Sequence, residues 1–199
     1  LFFGTFYVFP LSSGAGAPFV GGCDRLFRRG ITVEAVAAPF GKGVYIPALS
    51  FAAFQGTLAA IPCALIIGAF AERVNFSAVL LFTVRCFTFS YLPMAHMVWY
   101  WDGPDAFTAA DVVEKVTANA GLLWQWGALD FAGGTVVHIN AGIAGLGGAL
   151  VIGQRIGYGT SALPPPNAPE GVIGAPPRWV GWVRSSLGPG PERAGGPPR

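Results

Sequence analysis

Three long apolar runs alternate with polar segments along the chain. Residues 45–70 and 131–153 carry no charged side chain, and residues 76–101 carry a single one, Arg85. At about 1.5 Å of rise per residue, a run of this length covers roughly 35 Å and so crosses a hydrocarbon core of about 30 Å. The pattern predicts three membrane-spanning helices and an all-α fold, a polytopic transmembrane helix bundle.

The remaining segments divide into an apolar start, two loops and a tail. Residues 1–10 are apolar without signal-peptide features, so we interpret them as the end of a further helix. Residues 11–44 and 102–129 are polar loops, and the second holds a possible surface helix closed by Gly121. Proline, glycine and arginine dominate residues 160–199, which predicts a disordered tail after a membrane domain over residues 1–159.

The composition supports a membrane protein. Apolar residues make up 53% of the chain and charged residues 11%, whereas a soluble domain carries about 25% charged residues. The net charge of +2 argues against a nucleic-acid partner. Cys23, Cys63 and Cys86 lack metal-ligand spacing, so we expect reduced thiols and neither a metal nor a cofactor. No nucleophile triad, paired carboxylates or phosphate loop indicates an enzyme.

Charge predicts a topology only in part. The acidic 102–129 loop is expected outside, and the arginine-containing chain from Gln154 onward inside. The 11–44 loop then also faces out, although it carries four basic residues, which conflicts with the positive-inside rule.

The third run contains the most informative polar residues. His138 lies inside it, where a buried imidazole is expensive unless it faces a cavity or a partner. It is either a functional group or a structural histidine bonded to a neighbouring helix. Asp130 directly precedes the run, so its carboxylate can cap the amides of Gly133 or Gly134, or act as a fixed negative charge at a pore mouth. These two roles are compatible.

Other residues also have two interpretations. Phe54 and Leu58 share one helical face, which fits either helix packing or a gate. Trp99 at an outer boundary is an anchor or an aromatic face for a cation. His96 lies near the outer end, within reach of interfacial water, and we expect a structural role. Small residues recur at four-residue spacing and favour close helix packing; these are Ala141, Ala144, Gly145 and Gly148.

Three segments together resemble the ammonium transporter (Amt/Mep/Rh) superfamily, in its Amt branch. DFAGGTVVHINAGIAGLGGALVIGQR resembles the family signature along its whole length, and AFQGTLAAIPCALIIGAFAERVNFSAVLLF and SYLPMAHMVW resemble the two preceding spans. The matches cover about residues 45–159. The resemblance implies a partial chain of an eleven-helix, inverted-repeat transporter, from the end of the second helix through the fifth.

The resemblance also implies roles for individual residues. Trp99 and Asp130 match the external recruitment site, Phe54 the outer gate phenylalanine, and His138 the first pore histidine. Leu58 occupies the place of the second gate phenylalanine. The implied activity is ammonium/ammonia transport, with methylammonium as an analogue, by a homotrimer in the plasma or inner membrane. A PII-type regulatory protein is an implied partner.

Two departures from the family pattern leave other interpretations of the chain open. Arg85 lies in the middle of the second run, where it costs about 2.5–3.5 kcal/mol on insertion scales unless it is paired. The second pore histidine has no counterpart here. The chain can therefore also be an inactive, truncated or degraded remnant. A haem protein with His96 and His138 as axial ligands is a third, weaker alternative.

Overall fold

The computed structural model describes residues 18–22, 29–38, 42–107, 112–162, 164 and 167–186. A short antiparallel pair, β1 (Val36–Ala37) with β2 (Ile46–Pro47), precedes the helices. The helices are α1 (Ala48–Phe70), α2 (Phe76–Cys86), α3 (Leu92–Trp99), α4 (Val112–Asn119), α5 (Leu122–Gln125), α6 (Asn140–Ile152) and α7 (Ala168–Ser186). Two π-helical segments, Phe87–Tyr91 and Gly134–Ile139, lead into α3 and α6, and a 3-10 turn covers Pro104–Ala106.

Three of these stretches are long and apolar enough to cross a membrane. They are Ala48–Phe70, Phe76–Ala106 and Gly134–Ile152, found among the described residues by length and composition. The predicted class, a helical membrane-spanning bundle, is confirmed. The corresponding predicted runs were 45–70, 76–101 and 131–153. Helix α1 continues past the buried Pro62, which lies inside it.

Helices α1 and α6 pack against each other through small residues. A Cβ added to Gly148 would lie 2.1 Å from the Phe70 ring, and one added to Gly145 would lie 3.4 Å from the Ala69 Cβ. The two backbones can approach this closely only because the α6 side carries no side chain at these positions. The small-residue spacing in the sequence therefore serves packing, as predicted.

A cluster of buried residues joins α1 to the second span and to the π-helical segment before α6. Tyr91 and Val98 from the second span pack with Phe51 and Ala59 of α1 and with Val136. All five side chains are buried. This cluster lies at the end of the bundle that holds the candidate site.

At the end of the bundle away from this cluster, polar contacts join the C-terminal ends of α1 and α6. The Arg73 guanidinium donates to the carbonyl oxygens of Ala69 and Gly153, which belong to the last turns of the two helices. Arg155 forms an ion pair with Glu72. Cations at helix C-termini satisfy carbonyls that have no intrahelical donor and oppose the helix dipole.

Two expectations differ from the structure. Gly121 does not close α4, which ends at Asn119, but is the N-cap of α5; a Cβ there would lie 2.3 Å from the His96 carbonyl oxygen, so the glycine allows the chain to cross the end of α3. Residues 168–186 form α7, whereas the composition predicts disorder there. Each turn of a helix is held by local hydrogen bonds, so a helix can form without the packed core that the composition excludes. Residues 1–10, Cys23 and 187–199 lie outside the described residues.

Candidate functional site

The Asp130 carboxylate organises the turn that leads into α6. Its Oδ1 accepts from the Gly134 amide at 2.7 Å, and its Oδ2 accepts from the amides of Thr135 and Val136 at 3.0 and 2.9 Å. The predicted capping role is confirmed, with three amides rather than one.

Trp99 meets this turn from the second span. Its indole Nε1–H donates to the backbone carbonyl of Asp130 at 2.7 Å, and the ring is half-buried. The structure thus brings together the two residues that the sequence pairs at an outer mouth. Gly133 lies beneath the ring at a positive φ of 81°, a conformation in which a larger residue would be strained.

The ring of His138 is anchored to the same turn. Its Nδ1 lies 3.0 Å from the Gly133 carbonyl oxygen. A carbonyl oxygen can only accept, so Nδ1 must carry the hydrogen in this contact. In the neutral ring, Nε2 then presents a lone pair, which can accept a proton or a hydrogen bond.

His138 lines an open groove between α1 and α6. The cavity has a volume of about 450 Å³ and is lined by apolar and small residues beside the imidazole; these are Leu65, Ala69, Ala141, Gly142, Gly145, Leu146 and Ala149. The His138 side chain is exposed in this groove. It lies within the third candidate span, Gly134–Ile152, so the groove runs at membrane depth.

The π-helical segments were not predicted from the sequence. His138 belongs to Gly134–Ile139, and Ser90 belongs to Phe87–Tyr91. The Ser90 hydroxyl donates to Asn140 Oδ1 at 2.7 Å, which links the first π-helical segment to the start of α6, directly after the second segment. Single π turns inside α-helices occur frequently at functional sites. Because a π turn depends on such tertiary contacts, hydrophobic spacing does not reveal it.

Phe54 and Leu58 lie one turn apart on α1. Phe54 is 58% exposed and Leu58 is half-buried. Neither belongs to the buried clusters, so plain packing within the described residues does not account for the Phe54 ring. Their role as a gate stays a prediction.

His96 differs from its expected surroundings. The sequence places it within reach of interfacial water, but the side chain is 0% exposed. Its ring stacks on Tyr100 with centroids 4.4 Å apart. The turn after α3 folds back over it, which covers the ring.

The outer loop contains one further polar contact. The Tyr45 hydroxyl donates to Asp105 Oδ2 at 2.9 Å. This hydrogen bond and the negative charge of Asp105 raise the pKa of Tyr45 above its usual 10.0. The contact ties the start of α1 to the loop after α3.

These features define a class of protein. Helices able to span a membrane carry a titratable ring on a groove at membrane depth, below an aromatic and acidic mouth. This is the arrangement of a polytopic membrane protein with a histidine on an otherwise apolar groove beside its helices.

Comparison with known proteins identifies the family. The profile of the Ammonium Transporter Family matches residues 2–185, so the chain belongs to that family. The match extends beyond residue 159, where the predicted membrane domain ends.

Individual relatives agree with this assignment. The chain is 45% identical to an ammonium transporter of Aquifex aeolicus over 142 residues, 71% of this chain and 28% of that protein. It is 37% identical to the ammonium transporter of Bacillus subtilis over 180 residues, 90% of this chain and 38% of that protein. A crystal structure of a Candida albicans Mep2 mutant matches with a TM-score of 0.68 and 28% identity, covering 92% of this chain and 36% of that one. The chain thus spans roughly a third of the length of these relatives.

Proposed function

We propose that this chain takes part in the transport of ammonium or ammonia across a membrane, at the plasma or inner membrane. The observation that carries the proposal is one hydrogen-bonded unit formed by Trp99, Asp130 and His138. The indole binds the Asp130 carbonyl, the carboxylate holds the start of the π-helical segment, and His138 bonds to Gly133 within it. This unit supports a route from an outer mouth to a groove at membrane depth.

At the mouth, Trp99 and Asp130 would recruit the cation. An aromatic face attracts a cation by about 0.5–2 kcal/mol, and a carboxylate fixed by three amides adds negative potential. Phe54 would supply a second aromatic surface above the groove, whereas Leu58 offers only an aliphatic wall.

Below the mouth, the substrate would move as neutral ammonia. A net charge is expensive at membrane depth, so losing a proton before the apolar groove lowers the barrier. The Nε2 lone pair of His138 would contact ammonia or receive that proton. The family implies a homotrimer, a PII-type regulatory partner and a second wall of the pore. The part of the chain that the structure describes contains none of these.

Uptake of labelled methylammonium tests the proposal in a transport-deficient host. The sharpest version uses two proteins: the 199-residue chain itself, and a Bacillus subtilis ammonium transporter whose matching segment is replaced by residues 45–159. The chimera supplies the part of the relative that this chain does not match. Uptake by the chimera but not by the chain would favour the inactive-remnant alternative for the chain alone.

In the chimera, two substitutions separate recruitment from passage. Trp99→Leu should raise the apparent KM by roughly 2- to 30-fold, which corresponds to the loss of one cation–π contact. His138→Ala should reduce the maximal rate by about tenfold or more, because the polar contact inside the groove is lost. Trp126→Leu and Ile139→Ala are matched controls, since both side chains are exposed and lie outside the unit. Unchanged uptake in both test variants would contradict the proposed roles.

A further inference from the structure

We propose that Cys63 and Cys86 form a two-thiol binding site for a soft divalent metal ion, between α1 and the second span. Both cysteines are free, so neither thiol is held in a disulfide. Cys63 is buried on α1, and Cys86, the last residue of α2, is half-buried. The two residues are far apart in sequence and on different helices, so their spacing gives no metal-ligand motif and only the fold brings them together.

The Cys63 thiol lies against the turn of α2 that precedes Cys86. Its Sγ is 3.9 Å from the carbonyl oxygen of Thr83, three residues before Cys86. Residues three apart in a helix share a face, and a helical side chain leans over the turn on its N-terminal side. The Cys86 side chain therefore leans over the Thr83 turn, which the Cys63 thiol contacts from α1.

A buried cluster places Cys86 against the same side of α1. Cys86 packs on the cluster that contains Ile66 and Phe70 of α1. Ile66 follows Cys63 by three residues, so the two lie on one face of that helix. Each cysteine thus meets the other helix at the same interface, and the two thiols are neighbours there.

Charge and coordination number select the kind of metal ion. Both cysteines belong to candidate membrane spans, where a net charge is costly. Two thiolates neutralise a divalent ion, whereas a monovalent soft ion would leave one negative charge. Structural zinc takes four ligands, and among the described residues no group of three or more His, Cys, Asp and Glu side chains is placed to hold a metal. Mercuric ion, a soft cation that binds two thiolates in a line, meets both conditions.

Binding is a ligand exchange without oxidation or reduction. With mercuric chloride as the source, two S–H bonds break and two Hg–S bonds form, while two protons and two chloride ions leave. The product is a neutral bridge from α1 to α2. Because the second thiol is held beside the first, its bond forms at a high effective concentration, and the bridge should resist a competing thiol at least about 100-fold better than one thiol does.

Peptide mapping of the full chain tests for the bridge. Cys23→Ser leaves the two thiols of the proposed site, and this parent protein is reconstituted in lipid nanodiscs. One equivalent of mercuric chloride is added, and free thiols are then blocked with a maleimide before the protein is denatured. Trypsin cleaves after Arg73 and Arg85, so the two cysteines fall in separate peptides, residues 43–73 and 86–115. We expect a species with the mass of both peptides and one mercury atom.

The matched control moves one thiol to the other side of α2. Val84→Cys combined with Cys86→Ser keeps two thiols, but position 84 lies about 160° around the helix from position 86 and is 63% exposed. This control should form no bridge within one chain and should lose mercury at about 100-fold less glutathione than the parent protein. Cys63→Ser and Cys86→Ser should behave in the same way, and alanine replaces serine wherever a serine variant misfolds.

Three results would overturn the proposal. Equal retention of mercury by the parent protein and the Val84→Cys control would show that the position of the second thiol is irrelevant. Two mercury atoms per chain at saturation would show two separate thiols. A bridge that joins two copies of the same peptide would show contact between chains. Because every readout is a mass or a release curve, the outcome is independent of transport activity.

Discussion

Asp130 shows how one residue can serve both structure and site. Its carboxylate accepts three amides, and its backbone carbonyl accepts the Trp99 indole. The side chain therefore starts the π-helical segment that holds His138, while the main chain positions the aromatic face. Under the proposed function, electrostatic recruitment would depend on the same group as local folding, and a substitution would affect both.

Asp130→Ala should destabilise the protein by about 1–2 kcal/mol, since it removes a cap from three amides. The measurement is the midpoint of thermal unfolding in detergent, followed by circular dichroism. Glu114→Ala, an exposed carboxylate on α4, is the control and should leave the midpoint unchanged. Equal midpoints for Asp130→Ala and the parent protein would show that the cap contributes little.

The sequence anticipates only part of this residue-scale picture. A carboxylate just before an apolar run is a local signal, so the cap at Asp130 is predictable. The bond from Trp99 to Asp130 joins residues 31 positions apart, and the Ser90–Asn140 bond joins residues 50 apart. Such contacts depend on how helices pack. The burial of His96 has the same origin, which is why spacing places it wrongly near water.

At the scale of the elements, α1 and α6 approach each other closely at Gly145 and Gly148. Phe70 fills the space above Gly148, and the groove beside His138 lies along the same contact. The width of that groove is thus set by the residues that allow the two helices to approach. Packing between these helices and access to His138 are linked.

Gly148→Ala tests this close approach. Its added methyl group would lie 2.1 Å from the Phe70 ring, so Phe70 must move, and we expect a loss of about 1–3 kcal/mol of stability. Gly147→Ala is a matched control one residue away, where an added Cβ meets nothing within 4 Å. This control should be neutral or stabilising by up to about 1 kcal/mol, because alanine favours helix. Chemical denaturation of both variants gives the comparison, and equal stabilities would contradict the packing described here.

The helices differ in how readily the sequence predicts them. Long apolar runs predict α1, the second span and α6, because the number of consecutive apolar residues directly indicates a helix long enough to span a membrane. Helix α7 is missed because proline content dominates its composition, although its apolar residues keep helical spacing. The π-helical segments are not predicted, because the spacing of apolar residues does not show where one extra residue is inserted into an α-helix.

At the scale of the whole molecule, a large apolar surface faces outward. On the second span, Phe76, Val84 and Phe89 are 75%, 63% and 78% exposed, and on α6 Val151 is 89% exposed. These faces suit lipid or further transmembrane helices. Arg85 lies on the same outward side, and within the described residues the ion pair that forms joins Glu72 and Arg155 and does not involve Arg85.

Arg85 should therefore weaken the insertion of the second span. It lies roughly 14 Å along the helix from Phe76, close to the middle of a core of about 30 Å. Replacing it with leucine should lower the apparent insertion free energy by about 3–4 kcal/mol. A glycosylation reporter flanking residues 76–106 measures this in the full chain. Lys115→Leu, on the exposed face of α4, should change nothing. If Arg85→Leu also changed nothing, Arg85 would have to be neutralised within the membrane by an acidic partner or a lipid phosphate.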